Sequence, residues 1–449
     1  MSPGEVLETC LANIDLRESA VRAWVVVDRE AARRRAAELA ALPHAERAKL
    51  PLFGVPIGVK DIIDVAGLPT RAGSPLTSSA PVAHDAPLIA RLRAAGAIIL
   101  GKTVTTEFAY LDPPVTRNPW NLDRTPGGSS SGSAAAVAAG MCLAAIGTQT
   151  GGSVIRPAAF CGVVGFKPSY GWCSAEGVFP LAAWLDHLGI MARTVADAAA
   201  VYHAILGDTS IESAPSSGTT HDSTSSSRPS HLRGEETESP LPAPRIGIVG
   251  GYFHEHASPA VRECFAQAIE KAGQGGATVF PIELPPSFNT AHENHLRLMA
   301  VGAGEVHGQR YANHREQMGP RIRELVARGL ATSTADYAAA LEHQQEFQAA
   351  MARLFATHNC ILAMPSAPTT APTPETTGDP RFNSPWSYAG LPAITIPCGF
   401  DDGLPIGLQV VGAGQGEREL LAAAAWCERA LGIPQSPLLG RDARARISI

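Results

Sequence analysis

The order of segments predicts an α/β fold: a large mixed, mostly parallel central sheet covered by helices on both faces. Three observations carry this. An apolar run at Val55–Val59, an amphipathic stretch up to Ala95 and a second apolar run at Ala97–Leu100 follow as strand, helix and strand, the order of a βαβ unit. The same order recurs at Arg245–Val249, Pro259–Ala272 and Ala277–Ile282. Of the 449 residues, 45% are hydrophobic and 17% charged, which supplies a large core and excludes a globally disordered chain.

The first fifty residues, rich in Ala, Arg and Glu, predict two helices, Pro3 to about Ser19 and Arg29 to about Leu42. Val55–Val59 reads as a strand running into Lys60 and Asp61. Asp85 is expected to cap the next helix, whose Leu88, Ile89, Leu92 and Ala95 share a face and which Gly96 closes. Ala134–Ile146 is the longest uncharged apolar stretch at 13 residues, short of the ~20 that a membrane span needs. Within it Leu143–Ile146 is β-like, and Pro157-Ala158-Ala159 suits a helix start. Residues 210–239 hold ten Ser and four Thr, with Ile211 and Leu232 the large aliphatics. Such a tract cannot offset an ordering cost of ~1–2 kcal/mol per residue, so a disordered surface insertion is expected. Beyond it come helices around Asn294–Arg310 and Thr334–Ala356, a strand at Ile361–Met364, and a hairpin of Ala393–Ile396 with Ile406–Val411 turning at Asp402-Gly403. A helix over Glu417–Leu431 ends the pattern. Strands on both sides of the Ser-rich tract favour one domain over residues 1–449.

Several function classes drop out. A formal net charge of −6 gives no basic field for a nucleic-acid backbone. The eight cysteines form no CxxC pair and read as free buried thiols. Without an HExxH motif or clustered Cys and His, neither a metal nor a cofactor is expected. Met1–Asp15 carries Glu5 and Glu8 and no apolar leader core, so a cytoplasmic protein free of membrane is expected.

Three polar patches could carry chemistry. Gly127-Gly128-Ser129-Ser130-Ser131-Gly132-Ser133 opens the apolar stretch. It lacks the Gly-Lys-Ser/Thr ending of a phosphate loop. Gly128-x-Ser130-x-Gly132 matches a nucleophile elbow, but turn-forming Asn121–Pro126 precedes it rather than a strand. Gly147-Thr148-Gln149-Thr150-Gly151-Gly152-Ser153-Val154-Ile155-Arg156 is the second. Its glycines can turn amides inward where an oxyanion would form, which suits Ser153 as a nucleophile. A serine capping a helix after a Gly turn fits the same residues. Lys60, ending an apolar strand, is the third. Burial there would favour the neutral amine, whereas a lysine at a strand end is commonly just a surface residue.

Together the three patches, with Ser129 69 residues after Lys60 and Ser153 24 residues after Ser129, resemble the amidase signature family, in its malonamidase-like bacterial branch. The resemblance runs over nearly the whole chain, with a signature core at about 50–205. GGSSSGSAAAV (127–137) and GTQTGGSVIRPAAFCG (147–162) are its most specific stretches, supported by GVPIGVKDIID (54–64), LDHLG (185–189) and GLPIGLQVVG (403–412). It implies a Ser–cisSer–Lys triad, with Ser153 the nucleophile, Ser129 the bridging serine after a cis peptide, and Lys60 the neutral base. Thr150, Gly151 and Gly152, with Ser153, would supply the oxyanion hole. Arg156, three residues after the nucleophile, would meet a substrate carboxylate, unless it pairs internally with Asp61 or Asp186. The implied activity is hydrolysis of a small carboxamide through an acyl-enzyme, with an amide and water as partners and a homodimer left open. An esterase or aryl-acylamidase with the same triad, an amidotransferase A-type subunit, and an inactive homologue that only binds are the alternatives. The subunit usually carries GTDTGGSIR rather than GTQTGGSVIR.

Overall fold

The computed structural model describes residues 1–207 and 242–432, so the Ser-rich tract lies outside the described residues. Its strands are β1 (Trp24–Val27), β2 (Pro56–Lys60), β3 (Ile98–Thr103), β4 (Ala144–Gln149), β5 (Val164–Lys167), β6 (His187–Ala192), β7 (Arg245–Val249), β8 (Thr278–Ile282), β9 (Ile361–Pro365), β10 (Ala393–Asp401) and β11 (Leu404–Val411). They form one sheet in the order β1-β3-β2-β4-β6-β5-β10-β11-β9-β7-β8. Every residue of β2, β3 and β4 is buried, which is why these strands read as apolar runs without alternation: they are covered on both faces.

The sheet is mixed, as the segment order predicts, but it is not mostly parallel. Pairings β2/β3, β2/β4, β7/β8 and β7/β9 are parallel. The other six are antiparallel. Parallel pairing is confined to the two blocks where a helix crosses between strands; the centre is joined by β6, β5 and the β10/β11 hairpin. That hairpin turns at Asp402 and Gly403, both with positive φ (47° and 73°), the backbone a two-residue turn needs.

One local expectation is borne out and one is corrected. The apolar stretch 134–146 is two elements: the helix Ser131–Ala138 and then β4, separated at Gly140, whose φ of 69° ends the helix in the left-handed region. Asp85 is not a helix cap. The helix Pro87–Ala94 has Ala86 at its N-cap and no side-chain cap, because Asp85 accepts the Ala66 amide at 2.8 Å and pairs with Arg93 at 2.9 Å. Among the described residues no helix is long and apolar enough to cross a membrane.

Candidate active site

Parallel β2 and β4 bring their C-terminal ends side by side, with Ile57, Gly58 and Val59 opposite Ala144, Ala145 and Ile146. Lys60 ends one strand and Thr148 and Gln149 end the other. The Gly/Ser run is stitched across this edge. Ser131 Oγ donates to the Gly127 carbonyl at 2.8 Å and Ser133 Oγ to that of Ile146 at 3.1 Å. Ser130 Oγ donates to the Thr148 carbonyl and accepts the Thr148 amide, at 3.1 and 3.2 Å. Ser130 is therefore a strap on β4 and not an elbow nucleophile. Within this run Gly132 is the most crowded position: a Cβ there would stand 2.1 Å from the Ala23 carbonyl oxygen and 2.4 Å from the Val104 nitrogen.

Ser129 is held differently. The Gly128–Ser129 peptide is cis, and Ser129 Oγ accepts from Lys60 Nζ at 2.7 Å. Lys60 Nζ also donates to Thr148 Oγ1 at 2.7 Å and lies 3.5 Å from the Thr148 carbonyl oxygen. The amine is fully buried and has no carboxylate partner among the described residues. Burial pushes its pKa down to about 7, with the Asp186 charge opposing the shift. Its neighbour Lys102 is the opposite case, buried but paired with Asp61 at 2.9 Å.

After β4 the chain turns through Thr150–Ser153 before the helix Ile155–Cys161. Gln149 Oε1 takes the amides of Val154 and Ile155 at 2.8 and 3.0 Å, satisfying donors at the opening of that helix. Thr150 Oγ1 donates to Asp186, whose other oxygen accepts the Leu181 and Ala182 amides at 2.9 and 3.1 Å. The backbone N–H groups of Thr150, Gly151, Gly152 and Ser153 donate to nothing among the described residues. Ser153 lies against the Gly/Ser run through its carbonyl, which accepts the Ser130 amide at 3.4 Å. Its hydroxyl makes no hydrogen bond among the described residues, and the residue is buried but for 7% of its surface.

Arg156 meets neither Asp61 nor Asp186. It is fully buried: Nε donates to the Thr377 carbonyl at 2.7 Å, and Nη2 to the Gly128 carbonyl at 2.8 Å. Its Nη1 has no partner among the described residues. Burial lowers the guanidinium pKa to about 10, against the pull of Asp379.

The structure thus joins Lys60 directly to Ser129 and brings the Ser153 loop to the same strand ends. Sequence reasoning missed Thr148 and the hold of Asp186 on Thr150. Both sit inside the motifs that the sequence displays, but a β4 buried along its whole length offers no alternation to single out Thr148. The arrangement is a buried amine on a hydroxyl, with a loop of unbonded amides following the neighbouring strand. Residues 5–421 match the family described as Amidase. The A-type subunit of glutamyl-tRNA(Gln) amidotransferase from Chloroflexus aggregans is 36% identical, over 93% of this chain and 91% of that protein. A crystal structure of an amidase superposes with TM-score 0.81 at 32% identity, covering 96% of each chain. A chain from a vestigial protein complex bearing on the origins of an s-triazine catabolic enzyme gives 0.84 at 28%, covering 97% of this chain and 96% of its own. The protein is an enzyme acting on amide C–N bonds. It belongs to the amidase family.

Proposed function

We propose that the enzyme hydrolyses a small carboxamide through an acyl-enzyme on Ser153, activated by Ser129 and neutral Lys60. The observation that carries this is the Lys60 amine, buried, unpaired with any described carboxylate and 2.7 Å from Ser129 Oγ. Lys60 Nζ takes the Ser129 proton while Ser129 takes that of Ser153, whose oxygen forms a bond to the amide carbon. The resulting oxyanion is received among the free amides of Thr150, Gly151, Gly152 and Ser153. Ser129 passes a proton to the leaving nitrogen and recovers its own from Lys60, the C–N bond breaks, and ammonia or an amine departs. Water then attacks the acyl ester by the same relay and frees Ser153. Ser153→Ala should lower kcat by ~10³-fold or more, and acid quenching during turnover should leave an acyl mass on the peptide containing Ser153. An active Ser153→Ala, or an acyl group found elsewhere, would overturn the assignment.

The unpartnered Nη1 of Arg156 supports a substrate that carries a carboxylate, since a guanidinium suits that group. Ammonia release from a panel of short amides, with and without a carboxylate, tests it. Arg156→Ala should raise KM for the acidic members alone. Equal loss on neutral amides would assign Arg156 to holding the Gly128 carbonyl. A second reading, a component of an amidotransferase, is favoured by the 36% identity to such a protein; copurification of partner proteins would select it.

A further inference from the structure

Three of the free amides, those of Gly151, Gly152 and Ser153, belong to peptide units whose carbonyl ends are all held from behind. The Thr150 carbonyl shares a plane with the Gly151 N–H and bonds His295 Nε2 at 2.8 Å. The Gly151 carbonyl shares a plane with the Gly152 N–H and accepts from Ser387 Oγ at 3.0 Å. The Ser387 hydroxyl itself accepts from Gln149 Nε2 at 3.1 Å. The Gly152 carbonyl, in plane with the Ser153 N–H, accepts the Arg156 amide at 2.9 Å. A peptide is a rigid plane, so a bond that fixes its oxygen also aims its N–H. A donor on that oxygen further draws electron density towards it, which makes the N–H the stronger donor.

Two of these holds come from far along the chain. His295 lies on the helix Ala291–His314 and Ser387 on the helix Ser384–Tyr388. Both side chains are buried. A carbonyl can only accept, so His295 must carry its proton on Nε2, and Nδ1 is bare and without a partner among the described residues. Burial pushes the His295 pKa down to about 4, which keeps the ring neutral and in one tautomer at working pH. The ring packs directly over this loop: a Cβ at Gly151 would make ordinary contact with His295 Cε1, at 3.4 Å.

We propose that His295 and Ser387 are positioning residues of amide hydrolysis, holding the Thr150–Gly151 and Gly151–Gly152 peptides as oxyanion donors. The proposal rests on the acyl-enzyme reading above and adds two residues that touch neither substrate nor nucleophile.

The test uses the full-length enzyme on the best-hydrolysed amide of the panel, with the aldehyde of the same acyl chain as a tetrahedral mimic bound to Ser153. His295→Phe and Ser387→Ala should each lower kcat by roughly ten- to a hundredfold, somewhat less than deleting a direct oxyanion donor. KM should stay within about threefold and aldehyde affinity should fall in step with kcat. His295→Gln, able to offer an N–H to the same carbonyl, should recover most of the rate. If His295→Phe does not fold, Ser387→Ala, which removes one oxygen, carries the test. Loss confined to KM, unchanged aldehyde affinity, or equal loss in the Phe and Gln variants would overturn the proposal. An active Ser153→Ala would instead remove the acyl-enzyme reading, a separate result.

Discussion

A lysine serves as a base only while it is uncharged, and at Lys60 two opposing influences set that fraction. Burial lowers its pKa to about 7, while the Asp186 charge raises it. Under the proposed relay, activity follows the neutral amine, so kcat/KM should rise with pH through about 7. Asp186→Asn removes the anion that favours the charged amine, and the rise should move to lower pH. Asn keeps an acceptor for Thr150 but sets an NH2 against the Leu181 and Ala182 amides, so its melting temperature is measured alongside. A rise that stays put, or moves upward, would show that Asp186 does not act on Lys60. At this scale the sequence is unevenly legible. Lys60 stands out because it ends an apolar run, and Ser129 and Ser153 because glycines surround them. His295 and Ser387 give no signal. Their bonds span 145 and 236 residues, and nothing local distinguishes a histidine that will meet a carbonyl from one that will face water.

At the level of elements, the Gly/Ser run works because backbone meets backbone. Gly132 donates to the Val104 carbonyl at 2.9 Å, and a Cβ at this residue would collide with main-chain atoms at 2.1 and 2.4 Å that no side-chain rotation can move. Gly132→Ala should therefore destabilise by about 3 kcal/mol or more, at the upper end of overpacking costs, in urea unfolding. Gly171→Ala is the control. It has positive φ (75°) but open space around it, so its cost should be about 1 kcal/mol of left-handed strain. Equal losses would mean that the chain around Gly132, which has ordinary helical backbone, shifts to relieve the crowding. Helices with full amphipathic patterns are legible: Glu417–Leu431 is expected within those bounds and is found there. So is the Asp402-Gly403 turn, since its residues dictate its backbone. Strand direction is not. β5 and β6 return antiparallel through the middle of the sheet after segments with no helix between them, and the βαβ pattern read from the flanks cannot report on that centre. Asp85 misleads for a related reason: its position suits a cap, but Arg93 and the Ala66 amide already hold both oxygens.

Across the whole molecule, buried bases and buried thiols should shape stability in opposite ways. Lys167, at the end of β5, repeats the Lys60 situation. Its amine is buried, donates to the carbonyls of Leu391 and Pro168 at 2.6 and 3.1 Å, and has its pKa pushed down to about 7. Unfolded, both lysines return to about 10.5. Between about 7 and 10.5 the unfolded chain therefore binds more protons than the folded one, so stability rises with pH there. Burial moves Cys10, Cys173 and Cys427 up to about 12, and Cys142 and Cys161 higher still. Unfolded thiols ionise near 9, so above that pH the folded chain holds the extra protons and stability falls. Glu428, raised to about 7 by burial, acts below the window in the sense that lowers stability as pH rises. Urea unfolding between about pH 7 and 8.5 should thus show a free energy that climbs with pH, by at most ~3 kcal/mol per unit for two lysines. Lys167→Met should reduce that slope by about half, since one of the two amines is gone while Lys60 remains. A flat profile in both proteins would mean that water reaches these amines and that they titrate like exposed lysines. Lys60 would then be charged at neutral pH and unable to act as the base.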